Sequence, residues 1–218
     1  MRVDVWSDPV CPWCYIGKRR FEHALAQFDG RDRVELVHHS FQLNPAATPG
    51  VTSSRREMLM RKYRLSPQQV DDMDARMTAT AAADGLEYHL DGTVTGNTFD
   101  AHQLLHLARE RDVQDALLER LYRAYFTERR SLFDAPSLLP LVDDVGLDRG
   151  EAEAALRDRR YADAVAADID AARRLGVTGV PFFVIDNRFA LSGAQPPETF
   201  LAALNQAAGT HAHARPAS

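Results

Sequence analysis

Only two cysteines, Cys11 and Cys14, occur among the 218 residues, so no framework of disulfides is available to hold the fold. None is needed, because a chain of this length with 45% hydrophobic residues buries a full core by itself. No stretch approaches the 18 apolar residues of a membrane span. The opening Met1-Arg2-Val3-Asp4-Val5-Trp6-Ser7-Asp8 carries charge where a secretory signal would need unbroken apolar sequence. Clustered positive charge is missing as well: the formal net charge is -5, and basic pairs such as Arg55-Arg56 and Arg129-Arg130 are short. Nucleic acid and membrane are therefore excluded as expected partners. The expected compartment is the cytoplasm, where a lone cysteine pair is more often catalytic, redox-sensing or metal-binding than structural.

Two kinds of periodicity divide the chain. Val3 and Val5 alternate with Asp4 and Trp6, which predicts a strand over 2–7. From Pro12 onward Cys14, Gly17, Phe21, Ala24, Leu25 and Phe28 fall at helical spacing, and Asp29-Gly30 supplies a stop. A second strand is predicted over 34–41, broken by Asn44-Pro45, so residues 1–45 make a βαβ unit. Residues 53–175 are helical in character, with breaks at Asp84-Gly85, at the loop from Gly92 to Asn97, at Ala135-Pro136 and at Gly146. Over 176–208 the pattern is strand, Asp186-Asn187 turn, strand and a last helix from Pro197 to Ala208, with 209–218 expected to be a disordered tail.

The chemistry is expected at Cys11-Pro12-Trp13-Cys14, where the first helix begins. Unpaired backbone N–H groups and the positive end of the helix dipole converge there and stabilise a thiolate. Pro12 suits the first helical position, since its fixed φ matches the helix and its missing N–H would have gone unpaired. Cys14 lies on the inward stripe with Phe21 and Phe28, so it is expected to be shielded and to resolve, while Cys11 is exposed and attacks. Hydrogen bonds to the Cys11 sulfur are expected from the N–H groups around Trp13 and Cys14.

The run Cys11 to Lys18 resembles the active site of the DsbA family of thiol-disulfide oxidoreductases, most closely its FrnE-like branch. Phe41-Gln42-Leu43-Asn44-Pro45, Asn97 to His102, Gly176 to Val184 and Ser192 to Gln195 extend the resemblance, in order, over about residues 2 to 206. It implies an α/β thioredoxin-like fold with a large α-helical insertion, and a protein thiol-disulfide oxidoreductase with catalytic Cys11 and Cys14 and no cofactor. It also implies that Pro12, Trp13, Val180 and Pro181 meet the substrate. In thioredoxin-like proteins the proline at the place of Pro181 is usually cis, and the Val180 backbone would offer an edge for a substrate chain. Expected partners are protein or small-molecule thiols and disulfides, with glutathione among the candidates.

Other readings compete. His102 and His106 could complete a zinc site with the cysteines in a non-enzymatic zinc-holding or chaperone module, although 87 residues separate Cys14 from His102 where compact zinc modules use about twenty. No metal is expected. Asn97 and His102 resemble positions that glutathione-dependent 2-hydroxychromene-2-carboxylate isomerases and kappa-class transferases place near their ligand. Those relatives generally carry serine where this chain has Cys11, and they leave Cys14 without a purpose. His38 and His39, adjacent in a strand, must point to opposite faces, one of them buried and satisfied. Asp4 and Asp8 precede the motif, and a carboxylate near a dithiol can assist proton transfer from the resolving thiol, but Asp4 is expected to face solvent and Asp8 to serve the turn. Trp13 is balanced between packing and covering the dithiol.

Overall fold

The structure is a computed structural model that describes residues 1–213. Strand β1 (Arg2–Ser7) turns at Pro9-Val10 into helix α1 (Pro12–Ala26), and a short 3-10 turn at Arg31–Arg33 leads to β2 (Glu35–Ser40). β2 runs parallel to β1, with Val5 opposite His38 and Trp6 opposite His39.

The insertion that follows contains β3 (Ser53–Ser54), α2 (Arg55–Tyr63), α3 (Pro67–Ala83), β4 (Val94–Thr95), α4 (Phe99–Glu110), α5 (Gln114–Phe126), α6 (Ala135–Asp143), α7 (Arg149–Arg157) and α8 (Ala162–Arg174). Local signals mark its helix starts: Ser66 and Gln69 form a capping box before α3, and the Asp134 and Asp148 carboxylates accept from the N–H groups of Ser137 and Glu151. Gly85 and Gly146, at φ of 75° and 77°, supply left-handed stops at two of the expected breaks. β3 departs from the helical expectation for this region, because a strand of two residues is too short to display a period, while its partner β4 lies in the expected break from Gly92 to Asn97.

After the insertion, β5 (Phe182–Ile185) pairs antiparallel with β1, and β6 (Phe189–Ser192) pairs antiparallel with β5. The turn between them holds Asp186 and Asn187 at φ of 49° and 54°, the conformation of a tight primed hairpin. The sheet order is therefore β2-β1-β5-β6. Helix α9 (Pro197–His213) ends beyond the Ala208 expected for it: Asn205 to Ala208 lead into Gly209, but the helical turns continue through it, so the part of the expected tail from 209 to 213 is helix. Residues 214–218 lie outside the described residues.

Alternation in the strands sorts side chains to the two faces of the sheet. Val3, Val5, Phe183 and Ile185 pack against Phe21 and Ala24 of α1 and Phe200 and Leu204 of α9. On the other face Trp6 and Val184 meet Ala172 of α8 and Val177. The insertion has its own larger core, in which Leu104, Leu117, Leu121, Tyr122 and Leu141 are joined by Tyr15 and Ile16 of α1. Tyr15 stacks on Tyr122 at 4.8 Å between ring centroids. Helix α1 thus belongs to both cores, and its first turn sits at their seam. Among the described residues, no helix is long and apolar enough to cross a membrane.

Candidate active site

Cys11 is the N-cap of α1, in extended conformation, and Pro12 opens the helix. Its N–H donates to the Asp8 carbonyl at 2.9 Å, and its own carbonyl accepts from Cys14 N–H at 3.0 Å. The Cys14 N–H is therefore spent on the backbone turn and is not the sulfur donor expected of it. The Cys11 thiol instead points to the Val180 carbonyl oxygen, 3.5 Å away. The Val180–Pro181 peptide bond is cis. Tyr88 donates its hydroxyl to the Pro12 carbonyl at 2.8 Å, tying the first turn of α1 to the insertion.

Both cysteines are free thiols, and both are buried, Cys11 at 4% exposure and Cys14 at 2%. The expected contrast between an exposed and a shielded sulfur is thus corrected: the loop at Val180 covers Cys11, and the insertion core closes over it from the other side. What separates the two thiols is the space each meets. Cys11 lines a pocket of about 540 Å³ whose walls include Val10, Pro12, Trp13, Met73, Met77 and Val180. Cys14 lines a separate small cavity behind α1. Four of the six expected site residues, Cys11, Pro12, Trp13 and Val180, thus meet at one pocket, whereas Pro181 is buried and packs against Gly17 of α1. Trp13 is 43% exposed at that pocket, a wall residue and not part of the core.

Burial pushes the Cys14 thiol well above its ordinary range, and the adjacent Cys11 pushes it further. Its proton is therefore firmly held at neutral pH. Asp8 is 1% exposed, so its role goes beyond the turn chemistry expected of it. Its carboxylate accepts from Leu43 N–H at 2.8 Å, Val10 N–H at 3.3 Å and Thr98 Oγ1 at 3.4 Å. Burial nevertheless outweighs those bonds and raises it to about 7.

Asp4 also departs from expectation: it is buried and accepts from Arg2 and from the ring of His39. Burial alone would raise it, but those bonds hold it below the usual carboxylate range. His39 bridges Asp4 at 2.6 Å and Asp168 of α8 at 2.7 Å while stacking on Trp6. His38 points to the other face, as adjacency in a strand requires, and meets Asp115 of α5 at 2.9 Å. His39 is thus the satisfied ring, and His38 keeps one nitrogen, Nδ1, without a partner.

The zinc arrangement does not form. His102 Nε2 donates to the Phe41 carbonyl, and His106 faces Asp168 and Ser40. Among the described residues no group of three or more His, Cys, Asp or Glu is placed to hold a metal ion. Burial lowers His102 to about 4. Asn97 is tied to Gln42, Ala47 and Phe99 and, like His102, does not line the Cys11 pocket.

The family model described as DSBA-like thioredoxin domain matches residues 2–205. A solved structure of a probable DsbA oxidoreductase, SCO1869 from Streptomyces coelicolor, is 49% identical, with a TM-score of 0.92 over 96% of this chain and 90% of that one. The uncharacterized protein YwbO of Bacillus subtilis is 27% identical over 94% of this chain and 96% of its own. A 2-hydroxychromene-2-carboxylate isomerase, 15% identical, shares the fold at a TM-score of 0.71 over 99% of this chain and all, 100%, of that one.

Proposed function

The chain belongs to the DSBA-like thioredoxin-domain family, and from that premise we propose that it is a protein thiol-disulfide oxidoreductase of the FrnE-like branch working through Cys11 and Cys14. The observation that carries this reading is the division of space around the dithiol: one sulfur opens on a pocket sized for a ligand, and the other stands one helical turn behind it.

In the reducing direction the Cys11 thiolate attacks a substrate disulfide, forming a mixed disulfide and expelling one substrate thiolate. Cys14 then attacks the Cys11 sulfur. The Cys11–Cys14 bond forms, the second substrate thiolate leaves, and two electrons have passed to the substrate. The reverse sequence oxidises a dithiol. Pro12 and Trp13 wall the pocket, and the backbone at Val180 and Pro181 presents an edge to an extended substrate. We place the protein in the cytoplasm, where glutathione would serve as a small thiol partner and the dithiol would be the resting form. The isomerase reading gains no support from the site, since Asn97 and His102 are bonded elsewhere.

Insulin reduction with dithiothreitol tests the proposal. Wild-type protein accelerates precipitation, Cys11→Ser abolishes the effect, and Cys14→Ser accumulates a trapped mixed disulfide seen by intact mass. A wild-type protein with no effect and no intramolecular bridge under mild oxidant overturns it.

A further inference from the structure

The small cavity behind α1 is lined by Ser7, Cys14, Lys18, His38 and Tyr122, together with apolar side chains from the sheet and α5. Its volume is about 10 Å³, the room that one water takes. His38 is 5% exposed, and its main chain is clamped at both ends: its N–H donates to Gln114 Oε1 at 3.2 Å and its carbonyl accepts from Gln114 Nε2 at 2.9 Å. Its Nε2 faces the Asp115 carboxylate at 2.9 Å, which makes Nε2 the protonated nitrogen. Nδ1 is then a bare lone pair, fully buried and without a protein partner, on a residue that shares its cavity with Cys14.

We propose that His38, oriented by Asp115, accepts the Cys14 proton through one water in this cavity and so releases the resolving thiolate. The inference rests on the dithiol reading given above. The Cys14 S–H proton moves to Nδ1, the Cys14 thiolate bonds to Cys11 Sγ, the mixed disulfide breaks, and the substrate thiolate departs. The imidazolium stays paired with Asp115 and returns the proton to Cys14 when the bridge is reduced again. A buried resolving thiol has need of such an acceptor, because its own environment holds the proton on. Asp8 also lies near Cys14, but it faces the Cys11 pocket and does not line this cavity, whereas His38 does.

The charged groups facing His38 are Asp115 from α5 and Lys18 from α1. Lys18 is itself balanced by Glu22, Asp115 and Glu119, and Arg19 shares Glu119. Asp115, driven up by burial but pulled down further by His38 and Lys18 to about 2, stays ionised throughout the working range.

Reduced protein mixed with 5,5′-dithiobis(2-nitrobenzoate) separates the two chemical steps, since the first coloured thiolate reports Cys11 attack and the second reports closure by Cys14. The expected result is that His38→Gln leaves the first phase unchanged and slows the second by at least ~100-fold near neutral pH. Asp115→Asn, at a half-exposed position, should also slow the second phase, because a neutral amide no longer stabilises the imidazolium that forms on His38. Unchanged second phases in both variants, or both phases slowed alike, overturn the inference. A wild-type protein that gives no second phase overturns the dithiol reading instead.

Discussion

A Cβ built on Gly17 comes within 2.8 Å of Pro181 Cγ, so the second turn of α1 lies directly against the ring that follows the Val180 carbonyl. That carbonyl is the one the Cys11 thiol meets. A proline ring carbon cannot swing aside like the end of a long side chain, so Gly17→Ala must part α1 from the loop. The expected outcome is a loss of about 1–3 kcal/mol in urea unfolding of the reduced protein. Slower first-phase reaction of Cys11 should accompany it, because the same contact sets the spacing between Cys11 and Val180. Wild-type values for both measurements would show that the loop moves freely.

Asp8 predicts an inverted pH dependence of stability. Its folded value of about 7 lies above the ordinary 3.8, so between those values the folded state binds the proton and the unfolded state does not. Stability therefore falls as pH rises through that window and levels off above about 7. The span corresponds to about 4 kcal/mol between the two protonation states. Asp8→Asn cannot ionise. Its stability relative to wild type should improve steadily from about pH 4 to about pH 8, by as much as that amount, in urea titrations of the reduced proteins at fixed ionic strength. A difference that does not change with pH would show that Asp8 is ionised in the fold already at acid pH.

The division of labour among these residues was only partly legible in the chain. Val3 and Val5 against Asp4 and Trp6, the Pro12 start and the Asp186-Asn187 turn are local signals, and each produced its element. Cys11 and Cys14 were legible as a pair for the same reason, being neighbours on one helical turn. The burial of Cys11, the bond from Leu43 to Asp8 and the pairing of His38 with Asp115 are contacts made across 35 to 169 positions of chain. Spacing in sequence carries no trace of them. The one available hint was the adjacency of His38 and His39, which required opposite faces without saying what either face would meet.

His39 ties β1 and β2 to α8 through Asp4 and Asp168. Burial alone would lower its affinity for a proton, but the two carboxylates reverse that and raise it above 6.5. A raised value means that the stabilisation is complete below pH 6.5 and fades as pH climbs through the folded value. Arg2 remains on Asp4 and His106 on Asp168 when His39 is replaced, so the loss is limited. His39→Gln should be destabilised by about 2 kcal/mol near pH 6. That difference should shrink toward pH 9, as thermal melts of the two proteins across the range will show. A difference that grows with pH would mean that His39 is neutral in the fold.

The pocket beside Cys11 also predicts which disulfides react best. Met58 of α2 and Met73 and Met77 of α3 line it, unbranched side chains that adapt to apolar groups of varied shape, with Trp13 at its wall and Arg61 and Lys62 among its lining. A disulfide flanked by aliphatic or aromatic side chains can bury them there while its sulfur meets Cys11, whereas glutathione disulfide has little apolar surface to offer. Met77→Gln preserves length and charge and makes the wall polar at a side chain that also touches the insertion core. Placing an unpartnered amide against apolar substrate should weaken the transition-state complex by about 1–2 kcal/mol, or about 5- to 30-fold in kcat/KM for an apolar peptide disulfide. The rate with glutathione disulfide should stay within about twofold, because that substrate does not draw on the apolar wall. Equal losses with both substrates would place the effect on the dithiol itself, and no loss with either would put the substrate on the Val180 edge alone.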